Sequence, residues 1–321
     1  MKNKPILIVS GEPKSIFFEI FFKSLKKESY KSPLILISSL KLLKLYLKKL
    51  NYKKSIKILD KDSLNNYNLT NKEINLIDIN YKNLKNLKLN RTDTNIYIKN
   101  CFETAFKILR TGFSNKLING PINKSTFLNK KFLGITEFIS KKFKINETAM
   151  LIYNKDLSVC PLTTHLPLKL VSNRINKKLI KEKVKLINKF FIKYLNFKPK
   201  IAVTGLNPHC ESVLKFNEDD QIIRPTIKSL KNKGYDINGP FSADTIFLKQ
   251  NRTKYNVILG MYHDQVLSPI KTLKEYDAIN ITLGLPFLRV SPDHGPNEKM
   301  INKNSSNPLS LIRSLKFLDK K

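Results

Sequence analysis

Three of the four histidines in this 321-residue chain come shortly after segments rich in β-branched residues, a pattern that predicts strands. They are His165, His209 and His263, and they follow the predicted strands Leu157–Thr164, Lys200–Gly205 and Tyr255–Met261. In open α/β sheets ligands bind beyond the carboxyl ends of strands, so the fold could bring the three imidazoles to one edge. Such a site would hold a divalent metal and leave coordination positions open for a substrate oxygen. Structural histidines bonded to backbone carbonyls explain the same spacing, and spacing alone does not separate the two interpretations.

Two aspartates accompany these junctions. Asp264 directly follows His263, and Asp244 lies in the turn Ser242–Thr245. Aspartate at the start of a helix commonly accepts a backbone N–H bond as an N-cap. A carboxylate at either position could instead orient a metal ligand or take up a proton. Both interpretations stay open at this stage.

A second set of polar residues surrounds the predicted strand Ala278–Leu283. Lys271 precedes this strand, Asn280 lies within it, and Arg289 follows it after the turn Gly284–Pro286. Lysine, arginine and asparagine that converge on one pocket recognise phosphate or carboxylate groups through charge-assisted hydrogen bonds. Their position near the His263 loop predicts an anionic substrate.

Short apolar runs alternate with longer amphipathic stretches, and these elements must position the polar residues. The further predicted strands are Ile6–Ser10, Leu34–Ser38, Ile56–Leu59, Ile74–Ile79, Lys116–Asn119 and Ala149–Tyr153. Apolar residues at helical spacing predict helices at Phe17–Lys27, Leu40–Leu50, Thr94–Gly112, Lys177–Leu195 and Leu309–Leu318. This alternation favours an α/β protein with a mainly parallel sheet. No internal repeat or long linker is present, so the two domains predicted from the length need not be continuous in sequence.

The composition indicates a folded and strongly basic protein. The chain has 59 Lys+Arg against 25 Asp+Glu, a formal net charge of +34, and 41% hydrophobic residues, enough for one or two cores. It has no apolar run of membrane-spanning length, no signal-peptide core and only three well-separated cysteines. We therefore expect a cytoplasmic protein without a membrane partner. The lysines are spread along the whole chain, so the charge alone does not indicate nucleic-acid binding, although it would attract anionic substrates.

A series of longer motifs runs in one order through the chain. They are Leu117–Lys124, Phe132–Phe138, Thr163–Leu168, Gly205–His209, Asn238–Phe247, Met261–Gln265, Asn280–Pro286 and Ser291–Gly295. Together they resemble the 4-hydroxythreonine-4-phosphate dehydrogenase family of pyridoxal phosphate biosynthesis. Several long motifs in a fixed order are more specific than any single short pattern.

The resemblance implies an α/β fold of the isocitrate/isopropylmalate-dehydrogenase type, with two α/β/α domains and a cleft between them. Residues 1–125 and about 285–321 would form the first domain, and residues of about 126–284 the second, with the metal site and the dimer contacts. The family forms homodimers, and the partner subunit completes the active site.

The resemblance also implies roles for individual residues. His165, His209 and His263 would bind one divalent metal, Zn, Co or Mg, and substrate would contact Thr136, Lys271, Asn280 and Arg289. Asp244 and Asp264 are the catalytic candidates, and Asp293, His294 and Gly295 are the candidates for binding NAD or NADP. The implied reaction oxidises 4-phosphooxy-L-threonine at C3 and releases CO2, giving 3-amino-2-oxopropyl phosphate.

At four places the chain departs from the family motifs. Ile135 stands where the family has a substrate-contacting histidine, and Ser15–Phe17 replaces Gly-Ile-Gly. Cys210–Val213 replaces a Gly-rich loop, and Pro296–Met300 replaces a Gly/Ala-rich segment. These changes motivate a first alternative, a related metal-dependent dehydrogenase of another phosphorylated hydroxy acid. A second alternative, a basic nucleic-acid-binding protein on a former enzyme scaffold, predicts salt-sensitive binding to duplex DNA but conflicts with the retained histidines.

Overall fold

The structure is a computed structural model of the chain, and it describes residues 3–81, 91–123, 127, 134–213, 216–292, 295–301 and 303–321. The strands in this part of the chain are β1 (Ile6–Val9), β2 (Leu34–Ser38), β3 (Ile56–Ile58), β4 (Ile74–Asp78), β5 (Lys116–Asn119), β6 (Ala149–Tyr153), β7 (Ser158–Thr163), β8 (Ile201–Thr204), β9 (Ile237–Phe241), β10 (Val257–Tyr262), β11 (Ile279–Leu283) and β12 (Leu288–Pro292). The α-helices are α1 (Phe17–Lys27), α2 (Leu40–Lys49), α3 (Arg91–Arg110), α4 (Ile135–Lys142), α5 (Lys177–Phe190), α6 (Arg224–Asn232), α7 (Ala243–Ile246), α8 (Lys249–Arg252), α9 (His263–Lys274) and α10 (Leu309–Asp319).

The strands predicted from the sequence are all present, and their ends differ from the prediction by at most two residues. The predicted helices are present as well, and the one over Lys177–Leu195 is α-helical to Phe190 and ends in a π-helical turn. Periodicity missed β9, whose Asn-Gly-Pro sequence is unusual for a strand and is tolerated at a sheet edge. It also missed β12, because Arg289 and Pro292 hide the pattern of a wholly buried strand.

The chain divides into two compact units. The first consists of Met1–Ile135 and Pro286–Lys321, and the second of Thr136–Leu285. The second unit is therefore inserted into the first, whose last strand and last helix come from the C-terminal segment. That the second unit holds the metal site and the dimer contacts remains a prediction.

The first unit contains a parallel sheet with strand order β3-β4-β2-β1-β5-β12. Its inner strands are buried on both faces, which explains why they appear in the sequence as continuous apolar runs such as Ile6–Val9. Helix α1 places Phe17, Ile20 and Phe21 in the core, at the spacing of one helix face. Helix α10 contacts α1 and β12 and covers the sheet.

The second unit contains strands in the order β11-β6-β7-β10-β8-β9. Strands β7, β10, β8 and β9 are parallel, whereas β6 is antiparallel to both β7 and β11. The core of the unit includes Val159, Ala202 and Ile258 from the strands, with Val266 and Ile270 from α9. The carboxyl ends of β7, β10 and β8 consequently lie side by side at one edge of the sheet.

Two further observations concern the chain as a whole. Among the residues that the structure describes, no helix combines the length and the apolar character needed to cross a membrane.

The three cysteines are free and buried. Burial raises the pKa of the Cys160 thiol to about 12, so this thiol stays protonated near neutral pH.

Candidate active site

The carboxyl ends of three adjacent parallel strands carry the three predicted metal ligands. Strand β10 lies between β7 and β8 and is parallel to both. His165 follows β7, His263 begins α9 directly after β10, and His209 follows β8. The strand order therefore brings to one edge histidines that are far apart in sequence, and ligands bind at such edges.

Two of these imidazoles lie close together. The ring centroids of His165 and His263 are 5.8 Å apart, and the ring planes are inclined by 37°. The Nδ1 atom of His263 lies 2.6 Å from Oδ1 of Asp264, whose side chain is 79% exposed. When Nδ1 carries the proton, it donates to this carboxylate and leaves the Nε2 lone pair available to a metal.

His209 lies in a strained loop. Its φ is 56° and that of Cys210 is 60°, so two consecutive non-glycine residues adopt the left-handed conformation. His209 is exposed. Within the described residues, no three His, Cys, Asp or Glu side chains come close enough to hold a metal ion. The described part of one chain thus pairs His165 with His263 and does not bring His209 into the same cluster.

The donor chemistry of these residues fits a divalent metal. Neutral imidazole binds Zn, Co and similar ions, and a carboxylate on the second ring nitrogen raises the basicity of the ligand. His263 and Asp264 have this arrangement. The assignment of the three histidines as ligands remains a prediction that the donor set supports.

The N-cap interpretation of the two aspartates is wrong. Ser242 occupies the N-cap position of α7, and Tyr262 occupies that of α9. Asp244 and Asp264 instead lie in the first turns of these helices. Asp264 contacts the neighbouring imidazole, and Asp244 is exposed. A catalytic role of either residue remains a prediction.

One face of β11 carries a group of polar side chains. Asn280 and Thr282 are two residues apart on this strand and so share a face. The Oγ1 atoms of Thr136 and Thr282 are 3.5 Å apart. Oδ1 of Asn280 is buried and has no hydrogen-bond partner among the described residues. A buried acceptor without a partner is rare in folded proteins, so this face is favoured as a surface for a ligand that donates a hydrogen bond.

The two cationic candidates lie in different units. Lys271 is half-buried on α9 in the second unit. Arg289 is buried on β12 in the first unit, and its Nε donates to Oδ1 of Asn119 at 2.8 Å. Ile135, where the family motif has a histidine, is a buried apolar residue at the start of α4.

The candidates for cofactor binding lie near the C-terminal segment of the first unit. Asp293 and His294 lie outside the described residues, and Gly295 is exposed. A Cβ atom added at Gly295 would meet no described atom within 4 Å. The backbone N–H of Ile16 donates to the carbonyl of Pro296 at 3.2 Å, so the loop before α1 contacts the segment after Gly295.

The same loop holds a carboxyl group that no sequence pattern singled out. Glu12 is buried, and its Oε2 has no hydrogen-bond partner among the described residues. Burial, and to a smaller extent the charge of Glu298, raises the pKa of Glu12 to about 7.

Sequence reasoning also missed the residues that hold the strand-end loops. Gln265 hydrogen-bonds to Thr204, Gly205 and Met261, and Asp219 binds the loop before His209. Gln265 belongs to one of the motifs behind the resemblance, but spacing gave no sign of its contacts. Asp219 lies in an acidic run, Glu-Asp-Asp, which in a sequence indicates exposed surface.

Comparison with known proteins agrees with the motifs. A family model described as pyridoxal phosphate biosynthetic protein PdxA matches residues 29–318. The 4-hydroxythreonine-4-phosphate dehydrogenase of Sulfurihydrogenibium sp. (strain YO3AOP1) is 38% identical over 76% of this chain and 75% of its own length. The protein of the same name from Aquifex aeolicus (strain VF5) is 33% identical over 99% of this chain and 98% of its own.

Solved structures agree with the fold. A 4-hydroxythreonine-4-phosphate dehydrogenase from Klebsiella pneumoniae has a TM-score of 0.85 at 26% identity, with 99% of each chain covered. A β-decarboxylating dehydrogenase from Thermococcus kodakarensis shares the fold, with a TM-score of 0.52 at 12% identity over 97% of this chain and 81% of that one. The expected α/β class of the isocitrate/isopropylmalate-dehydrogenase type is confirmed. The chain belongs to the pyridoxal phosphate biosynthetic protein PdxA family of dehydrogenases.

Proposed function

We propose that this protein oxidises 4-phosphooxy-L-threonine at C3 and releases CO2, giving 3-amino-2-oxopropyl phosphate for pyridoxal 5′-phosphate synthesis. The reaction removes a hydride and a proton from the C3 alcohol, and the resulting β-keto acid then loses CO2. The observation that carries the proposal is the pairing of His165 with His263 at the ends of adjacent parallel strands, in a chain of this family.

The histidines are proposed to hold one divalent metal, and Asp264 to orient His263. When bound, a metal of this kind lowers the pKa of an alcohol and polarises a ketone, and NAD or NADP accepts the hydride. Asp264 keeps the proton of His263 on Nδ1, so that Nε2 presents its lone pair. Asp264 and Asp244 are the proposed groups for accepting the hydroxyl proton, and Asp293, His294 and Gly295 for binding the cofactor.

The remaining candidates are proposed to recognise the substrate. Thr136 and Asn280 would hydrogen-bond to it, since Oδ1 of Asn280 is an unsatisfied acceptor that a substrate amino or hydroxyl group can use. Lys271 and Arg289 would pair with the phosphate and carboxylate groups. The net charge of +34 attracts such a polyanionic substrate.

We propose that the enzyme is a homodimer in which the partner subunit completes the site, located in the cytoplasm. Large apolar residues are exposed in the segments after His165 and His209: Leu168 is 69%, Phe216 63% and Val213 103% exposed. Exposed apolar side chains next to a proposed shared site favour association, because contact with a second subunit would remove them from water. In sedimentation velocity, Leu168→Asp is expected to shift the protein towards monomer, whereas a dimer of unchanged stability would contradict the assignment of this surface.

The test of the activity is reduction of NAD and of NADP by 4-phosphooxy-L-threonine, before and after chelation and metal readdition. We expect turnover that chelation abolishes and that His209→Ala lowers at least 100-fold. Lys144→Ala is the matched control, because Lys144 is an exposed residue of the same unit with φ of 55°, against 56° for His209.

Each failure points to a different part of the proposal. Turnover of another phosphorylated hydroxy acid, with none of 4-phosphooxy-L-threonine, would show that the proposed substrate is wrong. Turnover that neither chelation nor His209→Ala changes would show that the proposed metal site is wrong. Tight duplex DNA binding that falls steeply with salt, without turnover of any substrate, would favour the nucleic-acid alternative.

A further inference from the structure

The loop that carries His209 is held by a buried carboxylate. Oδ1 of Asp219 accepts the backbone N–H of Leu206 at 2.9 Å, and Oδ2 accepts the backbone N–H of Asn207 at 3.0 Å. Oδ2 also accepts the side-chain amide of Asn207 at 2.8 Å. Three donors of one short segment thus converge on one carboxylate, two and three residues before the histidine.

Asp219 is fully buried, with 0% of its surface exposed. Burial of an ionised carboxylate is unfavourable unless hydrogen bonds compensate it, and here the donors come from the histidine loop. Gly205 allows the close approach, because a Cβ there would meet Oδ1 of Asp219 and Sγ of Cys210. The carboxylate and the loop therefore stabilise each other in one arrangement.

The loop needs such support because its backbone is strained. His209 and Cys210 both have φ near +60°, a conformation that non-glycine residues adopt at an energetic cost. The N–H of Cys210 donates back to the carbonyl of Asn207 at 3.0 Å, so the residue bound by Asp219 also anchors the strained pair. Loss of the carboxylate would release Asn207 and, with it, the orientation of His209.

The base of the same loop is tied to the strand that precedes His263. Oε1 of Gln265 accepts both the Thr204 hydroxyl and the Met261 N–H at 2.7 Å. Nε2 of Gln265 donates to the carbonyl of Gly205 at 2.8 Å. Motion of the His209 loop is thus restricted at its start by Gln265 and further along by Asp219.

We infer that Asp219 is a positioning residue for the metal site, and that it acts by holding the backbone of Leu206 and Asn207 so that His209 stays oriented for a metal. This inference rests on the proposed function, since it assumes that His209 is a ligand. Asp219 itself touches neither the metal nor the substrate.

The test is a titration of the metal-free protein with Co²⁺, followed by the visible absorption of the bound ion. Asp219→Asn replaces one carboxylate oxygen by an NH2 group, which donates and cannot accept from the loop, and we expect it to weaken binding by about 10–100-fold. The matched control is Asp220→Asn. Asp220 is the adjacent carboxylate, 51% exposed and paired with Arg224, and its variant should bind Co²⁺ like the wild type.

A second variant tests the inference if Asp219→Asn fails to fold. Asn207→Ala removes one of the three donors and leaves the carboxylate in place, and we expect a smaller loss of Co²⁺ affinity in the same direction. In both variants the backbone amides at positions 206 and 207 should exchange hydrogen faster than in the wild type, with metal absent.

The possible outcomes separate this inference from the proposed function. Wild-type Co²⁺ affinity in Asp219→Asn and Asn207→Ala, with only a lower unfolding temperature, would mean that Asp219 is merely structural and would overturn the inference. A wild-type protein that binds no Co²⁺ would overturn the proposed metal site and this inference with it. Weaker binding in both variants but not in Asp220→Asn supports the inference.

Discussion

At the level of single residues, two buried polar atoms without hydrogen-bond partners give testable predictions. Oδ1 of Asn280 and Oε2 of Glu12 are both buried, and neither has a hydrogen-bond partner among the described residues. Such groups destabilise a folded chain, by about 1–3 kcal/mol for a neutral group. Ligand binding is the explanation that we test for Asn280, and proton binding for Glu12.

Asn280→Ala separates a ligand contact from a structural one. Because the amide oxygen has no partner to lose, the variant should lose about 1–2 kcal/mol less unfolding free energy than Asn75→Ala. Asn75 is a buried strand asparagine whose amide donates to the carbonyls of Leu34 and Thr70 at 3.0 and 2.8 Å. The measurements are urea unfolding and the KM for the substrate. KM should rise about 10-fold in Asn280→Ala, and an unchanged KM would argue against a substrate contact.

Glu12 predicts a pH dependence of stability. Its pKa is raised from 4.5 to about 7 in the folded chain, so between these values the native state binds more protons than the unfolded state. The contribution of Glu12 to the free energy of unfolding therefore falls as pH rises from about 4.5 to 7 and is constant above that range. Glu12→Gln should match the wild type near pH 4 and be more stable above pH 7, by up to about 3 kcal/mol.

The control for this prediction is a variant that removes the neighbouring charge of Glu298. Glu298 raises the pKa of Glu12, so Glu298→Gln should move the pH-dependent loss of stability to lower pH without removing it. Urea unfolding at a series of pH values measures both variants. A stabilisation by Glu12→Gln that is the same at pH 4 and pH 8 would contradict the assignment.

Secondary-structure elements place the histidines through the order of three strands. Strand β10 joins β7 to β8, and the side chains of Thr163 and Gln265 link their ends, since the Thr163 hydroxyl donates to the Met261 carbonyl at 2.8 Å. Edge strand β9 continues this sheet through β8 with a shift in register. The packing of β9 onto β8 requires a glycine.

Gly239→Ala tests that packing. At Gly239 the backbone has φ of +135° and an added Cβ would meet the carbonyl oxygen of Val203. Backbone atoms cannot move aside easily, so we expect a loss of more than about 3 kcal/mol of unfolding free energy. Gly234→Ala is the matched control, with φ of +82° and no described atom within 4 Å of the added Cβ, and should lose about 1 kcal/mol. Equal losses in chemical denaturation would disprove the steric argument.

For the whole molecule, the charge of +34 is a destabilising feature that salt should relieve. Ion pairs such as Lys61–Asp62 and Arg224–Asp220 are exposed and offset little of the repulsion among 59 cationic side chains. Raising the ionic strength shortens the Debye length from about 30 Å at 0.01 M to about 8 Å at 0.15 M. The repulsion between distant lysines is screened over this range.

We therefore expect the unfolding temperature to rise by several degrees between 0.01 and 0.15 M NaCl. Differential scanning calorimetry measures the change. An equal rise in NaF would show that screening is responsible, because specific binding of anions to the cationic surface would distinguish fluoride from chloride. A constant or falling unfolding temperature would mean that the charges are spaced too widely to interact.

Local patterns in the sequence determined the elements and the candidate chemistry. Runs such as Leu34–Ser38 and the amphipathic Phe17–Lys27 have the predicted bounds, because burial of both faces of a strand leaves a continuous apolar run and burial of one helix face leaves a periodic one. The placement of His165, His209 and His263 after strands was visible for the same reason. The sequence pattern did not predict strands β9 and β12. In them proline, glycine and arginine interrupt the apolar pattern, and contacts with neighbouring strands decide the conformation.

Tertiary structure alone decided which of these residues meet. The 5.8 Å approach of His165 to His263 depends on the pairing of β7 with β10, which are about 100 positions apart in sequence, and no local pattern encodes that pairing. Asp219 is similar, since its acidic neighbours indicate surface and only the folded chain buries its carboxylate against the loop before His209. Hydrogen bonds between distant segments form according to strand order and packing, so these contacts emerge only when the chain has folded.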